Sequence, residues 1–257
     1  MIVTPDIAYL GAARTERLDL YRPKAIRPGD CRAAVVIIHG GGWGSGDKAD
    51  ARETGMAKTL IEAGYVCASI NYQLSTPGHP SWPTCLHDCR AAVRHLRAHA
   101  RQYGIATERI GAIGGSAGGC MALLLGAGEQ SPADGRLRAR VRAVVALYPP
   151  TDLPSWGDCL ELFGFSKATH CELHQAGSPL YQLTADFPPT LLIHGTADTI
   201  VPPAQSERLA QAMERLGIRH ELMLIDGAGH SFPLQHNEID LRQKVVDFFD
   251  QTLPARP

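Results

Sequence analysis

The stretch Ile110-Gly-Ala-Ile-Gly-Gly-Ser-Ala-Gly-Gly119 limits the choice of fold more than any other part of the chain. Ile110 to Ile113 form a short apolar run suited to a buried parallel strand, and Met121 to Leu125 read as the start of a helix. Gly114, Ala117, Gly118 and Gly119 surround Ser116 between them, and only small residues fit so sharp a strand-to-helix turn. A chain built this way is an α/β protein whose serine hydroxyl projects clear of the sheet. The pattern Gly114-x-Ser116-x-Gly118 arises by chance in about one chain in ten of this length. The flanking elements and the remaining chemistry therefore have to carry the reading.

The rest of the chain repeats the alternation. Arg17 to Arg22 alternates polar and apolar residues and stops at Pro23, as an edge strand does, and an Arg27-Pro-Gly-Asp30 turn follows. Ala33 to Ile38 is continuously apolar, as in a strand covered on both faces, and runs into His39-Gly40-Gly41-Gly42-Trp43. A glycine loop at that place lets backbone N–H groups approach a developing negative charge. A helix is predicted from Asp50 to Ala63, a strand from Tyr65 to Tyr72, and a helix from Leu86 to Tyr103 closed by Gly104. After a polar segment, Ser131 to Gly135, come a strand, Ala143 to Tyr148, and an insertion over 149–189 rich in aromatic residues. We read that insertion as a small lid, with a packed helical excursion as the alternative. Thr190 to His194 and Glu221 to Ile225 are the last strands, with helices over Gln205 to Leu216 and Ile239 to Phe249. The expected architecture is one domain over 1–257. It has a mostly parallel central sheet, helices on both faces, an antiparallel N-terminal edge and the lid after the sixth strand.

Composition narrows the function classes. The net charge of −1 gives no basic field for nucleic acid. No apolar run nears the roughly 20 residues that span a bilayer, and Met1 to Asp6 lacks the features of a signal peptide. We expect neither nucleic-acid nor membrane partners and a cytoplasmic location. Seven cysteines are scattered without a disulfide framework, although Cys159 and Cys171 flank a loop and leave one pairing open. His95 and His99, like His170 and His174, stand four apart, yet no third and fourth ligand follows at a useful spacing. They read as surface histidines, and no metal or other cofactor is expected.

A serine hydroxyl attacks only with a positioned base, and that base needs an orienting carboxylate. Asp198 and His230 both sit in loops after strands, so their side chains and Ser116 would emerge at one edge of one sheet. Asp152 also follows a strand and is the competing acid, whereas Asp226 reads as a turn or capping residue. The N–H groups of Ala117, Gly41 and Gly42 are the candidate oxyanion donors. Trp43 either lines the substrate pocket or simply packs.

Together, His39-Gly-Gly-Gly-Trp43, Gly114-Gly-Ser-Ala-Gly-Gly119, Gly195-Thr-Ala-Asp198 and Gly229-His230 resemble the α/β-hydrolase superfamily. The match is to the hormone-sensitive-lipase-like esterases and the small bacterial branch related to feruloyl and acetylxylan esterases. Leu18-Asp-Leu-Tyr-Arg-Pro23, Asn71-Tyr72 and Pro150-Thr-Asp152 also resemble that branch. The resemblance implies the α/β-hydrolase fold and hydrolysis of small carboxylic esters, of short-chain acyl or feruloyl/acetyl type, through an acyl-serine intermediate without a cofactor. It implies Asp198 as the acid, and His39 as a brace for the glycine loop. Only 38 residues precede His39, too few for the helical cap usual in hormone-sensitive-lipase-like enzymes, so a shallow site covered by the segment after Tyr148 is expected. An amide hydrolase on the same fold, such as a formamidase or aminopeptidase-like enzyme, is the alternative, and a non-catalytic binding protein is the remaining one. The oligomeric state is open, a homodimer being one option.

Overall fold

Apolar runs buried on both faces can be satisfied only by a sheet with helices above and below it, and the computed structural model has that arrangement. It describes residues 1–24, 29–128, 138–236 and 238–253; the start of the expected 27–30 turn and the polar segment 131–135 lie outside these. The strands are β1 (Ile2–Ile7), β2 (Leu18–Arg22), β3 (Arg32–Ile38), β4 (Val66–Ile70), β5 (Ile105–Gly115), β6 (Val144–Leu147), β7 (Thr190–Gly195) and β8 (His220–Ile225). Among the described residues these eight form one sheet in the order β1-β2-β4-β3-β5-β6-β7-β8. β1 and β2 are antiparallel, as is β2 with β4; every pairing from β4 across to β8 is parallel.

Strand periodicity explains the two-sided core. Ala34, Val36 and Ile38 of β3 point to one face, with α2 (Thr84–Ala98), α4 (Ala117–Ala127) and α8 (Ala204–Arg215). Val35 and Ile37 point to the other, with α1 (Ala51–Glu62) and α9 (Arg242–Thr252). Each fully buried Val, Ile or Leu contributes about 1.5–3 kcal/mol of hydrophobic stabilisation. All the β3 residues from Ala34 to Ile38 are fully buried, so this strand is the centre of the molecule.

Several boundaries differ from the sequence reading. The helix expected over 86–103 is two helices, α2 and α3 (Ala100–Tyr103), because His99 at φ −106°, ψ 16° leaves helical geometry. His95 and His99 stack at 4.1 Å, and His95 Nε2 lies 2.9 Å from the Tyr103 hydroxyl, so this pair is half-buried in a ring cluster instead of lying on the surface. His174 is fully buried. The last helix starts at Arg242, since Ile239–Asp240 (β10) pairs with Gln235–His236 (β9) and the Asp240 carboxylate accepts the Arg242 N–H at 3.0 Å. The strand expected at 110–113 begins at Ile105, pairing there with Arg32 through an irregular register. Cys159 and Cys171 are both free thiols.

The 149–189 segment carries α5 (Leu153–Trp156), α6 (Leu160–Phe163), α7 (Cys171–Ala176) and a 3-10 turn, Pro179–Gln182. Short helices of this kind are marginal alone. Side chains hold them: Trp156 Nε1 donates to Ile200 O at 2.9 Å, Lys167 Nζ to Pro154 O at 2.9 Å, and buried His174 bonds the Asp158 carbonyl while its ring lies 4.4 Å from that of Phe163.

Candidate active site

The β5–α4 turn makes the first part of the site. Ser116 sits at φ 55°, ψ −123°, a conformation costly for any residue but glycine, and is held there by its N–H to Leu147 O at 2.8 Å. The turn is tight enough that a Cβ on Gly118 would lie 2.1 Å from Ile38 O, which is why this position is glycine. Parallel pairing of β5, β6, β7 and β8 then delivers the loops after β5, β7 and β8 to the same edge.

These loops bring three side chains into one hydrogen-bonded chain. His230 Nε2 lies 2.9 Å from Ser116 Oγ, and His230 Nδ1 lies 2.6 Å from Asp198 Oδ2. The carboxylate is an acceptor only, so Nδ1 carries the proton and Nε2 presents a lone pair to the serine hydroxyl. The Asp198 side chain is fully buried, and its Oδ1 accepts the N–H groups of Ile200 and Val201 at 2.9 Å each. A buried carboxylate so bonded is fixed in place and compensated for its desolvation.

The glycine loop lies against the serine: a Cβ on Gly40 would be 3.5 Å from Ser116 Cβ. Gly41 and Gly42 have φ of +105° and +61°, are exposed, and their N–H groups have no hydrogen-bond acceptor among the described residues. Ala117 opens α4, where the first N–H groups lack intrahelical acceptors. His39 is buried beneath the loop, stacked on Tyr72 at 4.4 Å, with Nδ1 donating to Gly40 O at 2.7 Å; burial lowers its pKa, keeping the ring neutral. Trp43 is 3% exposed and meets Trp156 edge-on at 6.4 Å, which joins the loop to the 149–189 segment.

The competing acid lies in another network. Asp152 Oδ2 is 3.3 Å from Arg208 Nη1, and Oδ1 accepts from the Tyr181 hydroxyl at 3.4 Å. Asp226 is exposed and accepts from Thr196 Oγ1 at 3.2 Å, within a turn. Among the described residues no group of three or more His, Cys, Asp and Glu side chains is placed to hold a metal ion, and no helix is long and apolar enough to cross a membrane.

Two residues that the sequence reading treats only as strand ends touch this chain. Tyr148, after β6, lies edge-on to His230 with ring centroids 4.9 Å apart. His194, near the end of β7, has Nε2 3.3 Å from Asp198 Oδ2. The available signal was a polar residue in an otherwise apolar strand, four positions before Asp198.

The family model for BD-FAE matches residues 18–213. The chain belongs to the BD-FAE family. The BD-FAE match includes Ser116 and Asp198 and stops before His230, so the histidine's place rests on the geometry. The esterase LipQ of Mycobacterium tuberculosis is 28% identical over 83% of this chain and 53% of its own length. The chain spans about half the length of the curated relatives it matches, as with LipQ and LipM at 53% and 52%. Among solved structures, a truncated carbohydrate esterase from gut microbiota superposes with a TM-score of 0.85, covering 99% of this chain and 97% of that one, at 24% identity, which speaks for the fold. Esterase 2 of Thermogutta terrifontis, phosphonylated by sarin, has a TM-score of 0.80 and 27% identity over 94% of this chain and 92% of its own. That enzyme has also been solved with propionate bound, at a TM-score of 0.77. This BD-FAE member therefore has the α/β-hydrolase fold.

Proposed function

We propose that this protein is a serine carboxylesterase acting on small carboxylic esters. The observation that carries the reading is the continuous relay Ser116–His230–Asp198, with contacts of 2.9 and 2.6 Å. Ser116 Oγ attacks the ester carbonyl carbon while its proton passes to His230 Nε2, and Asp198 holds the resulting imidazolium. The C–O π pair moves onto the carbonyl oxygen, and the N–H groups of Gly41, Gly42 and Ala117 receive that oxyanion. His230 returns the proton to the alcohol oxygen as the C–O bond breaks, leaving an acyl-serine. Water, deprotonated by the same imidazole, repeats the sequence and releases the acid. No cofactor takes part.

Substrate size follows from exposure. Ser116 is half-buried while Gly41 and Gly42 are exposed, which supports a shallow site whose one wall is the 149–189 segment, acting as a lid. Trp43, packed edge-on against Trp156, is our candidate for the substrate-facing residue of the glycine loop, on the acyl or the alcohol side. Short acyl groups and feruloyl or acetyl esters fit this reading, as does the esterase activity of LipQ and the propionate held by the Thermogutta enzyme. Seven free thiols among the described residues support a reducing, cytoplasmic setting.

Purified protein and Ser116→Ala should be assayed side by side on methyl ferulate, an acetylated xylo-oligosaccharide and the matching amides, with fluorophosphonate labelling in parallel. Ester turnover and labelling that both vanish in Ser116→Ala are expected, with amides far slower. Equal activity in the two proteins ends the assignment, and faster amide turnover replaces ester with amide hydrolysis.

A further inference from the structure

His194 lies outside the relay, yet both nitrogens of its ring are engaged, Nε2 by the loop that holds Asp198 and Nδ1 by the helix that follows it. It is fully buried in β7. Nδ1 lies 2.7 Å from Ser206 Oγ on α8, and Nε2 lies 2.8 Å from Val201 O and 3.3 Å from Asp198 Oδ2. A carbonyl oxygen only accepts, so Nε2 must carry a proton, and burial keeps the ring neutral with Nδ1 accepting from the Ser206 hydroxyl. The Nε2–H therefore points into the angle between Val201 O and the carboxylate. The residue it anchors, Val201, is one of the two whose N–H groups hold Asp198 Oδ1.

We propose that His194 is a positioning residue of this site: through Val201 O and Asp198 Oδ2 it fixes the carboxylate that orients His230. This rests on the esterase reading of the Ser116 relay. The arrangement puts four donors around one carboxylate: Ile200 N–H, Val201 N–H, His230 Nδ1–H and, at longer range, His194 Nε2–H. Each limits where the oxygens can sit, and only Oδ2 faces His230. The titratable groups facing His194 are Asp198, on the loop after β7, and His230, on the loop after β8; α8 contributes the Ser206 hydroxyl.

Removing the ring has two effects. The turn 198–201 loses its side-chain bond to β7 and keeps only the backbone bond from Asp198 N–H to Gly195 O, so the carboxylate wanders and the serine–histidine geometry degrades. The remaining carboxylate also loses a nearby N–H dipole, so it stabilises a protonated His230 more strongly. The first effect lowers kcat. The second moves the acidic limb of the pH profile to higher pH, a change that loosened packing does not produce.

The test compares wild type, His194→Leu, His194→Gln and His194→Asn on one short-chain ester across pH, with thermal midpoints measured alongside. A glutamine amide can reach the Nε2 position and an asparagine amide cannot. In His194→Leu we expect kcat lower by about ten- to a hundredfold with KM little changed, and an acidic limb displaced to higher pH. His194→Gln should recover most of both and His194→Asn should not. If the leucine variant fails to fold, the glutamine and asparagine variants decide. Identical kcat and pH profiles in folded variants overturn the proposal. Fluorophosphonate labelling of wild type, lost in Ser116→Ala, separates this outcome from failure of the esterase reading itself.

Discussion

The ring of Tyr148 meets that of His230 edge-on, with centroids 4.9 Å apart and planes 64° from parallel, while its hydroxyl donates to Phe232 O at 3.1 Å. One side chain thus supports the imidazole and ties down the chain two residues beyond it. Tyr148 stands at φ +40° to do so, and its hydroxyl would lie only 2.7 Å from a Cβ added at Gly115. Tyr148→Phe keeps the ring and should retain most of the activity. Tyr148→Ala removes the floor under His230, and a misplacement of about 1 Å can cost about 10²-fold in kcat. Steady-state kinetics of the two variants distinguish a role for the ring from one for the hydroxyl.

Neighbouring glycines in the loop should respond differently. A Cβ at Gly41 would lie 2.2 Å from Ser45 O, so Gly41→Ala displaces the loop and its N–H groups. Loss of an oxyanion donor costs about 10²–10³ in kcat. At Gly42 no atom lies within 4 Å of an added Cβ, so Gly42→Ala meets only the backbone strain of φ +61° and keeps its N–H. That strain is about 1–2 kcal/mol, and the kcat loss should be the smaller of the two.

The 149–189 segment was legible as an insertion and illegible in detail, for a physical reason. Helices as short as Leu160–Phe163 show no repeating apolar face, and what holds them is tertiary: the buried His174 ring and the bond from Trp156 to Ile200. The long parallel strands were legible because burial on both faces demands unbroken apolar runs. Ser116 and Asp198 were legible because each follows such a run, and His230 because a glycine-rich turn follows the mostly apolar but half-exposed β8. His194 was hidden by the same rule, being a polar residue at a fully buried strand position whose partners, Ser206 and Val201, are in the next loop and helix.

Three histidines set an acid limit on stability. Burial lowers the pKa of His39, His194 and His95, the last to about 4. The unfolded chain binds protons at these residues near the ordinary value of about 6.5 while the folded chain does not. Below that pH the unfolded state holds more protons, so stability falls with falling pH until the folded values are passed. Denaturant midpoints should decline from near pH 6.5 toward pH 4, and His95→Gln should make the decline shallower.

Gly118 and Gly55 form a matched pair for stability. Gly118→Ala places a Cβ 2.1 Å from Ile38 O and 2.6 Å from His39 O, both backbone atoms that cannot yield cheaply. Overpacking of this kind costs about 1–3 kcal/mol or more. Gly55 lies exposed within α1 with nothing within 4 Å of an added Cβ, so Gly55→Ala should gain about 0.5–1 kcal/mol. Urea unfolding of both variants checks the contrast.

The excursion over 149–189 leaves the sheet after β6 and returns at β7, strands that are paired side by side. Its entrance and exit therefore lie close together, and none of Ser116, Asp198 and His230 belongs to it. A different excursion could be spliced between the same two anchor points and leave the relay aligned, provided it replaced the contacts of Trp156 with Ile200 and Trp43. On the proposed reading of this segment as a lid, substrate preference is in that sense a replaceable cassette, one that selection or an engineer can exchange without rebuilding the chemistry beneath it.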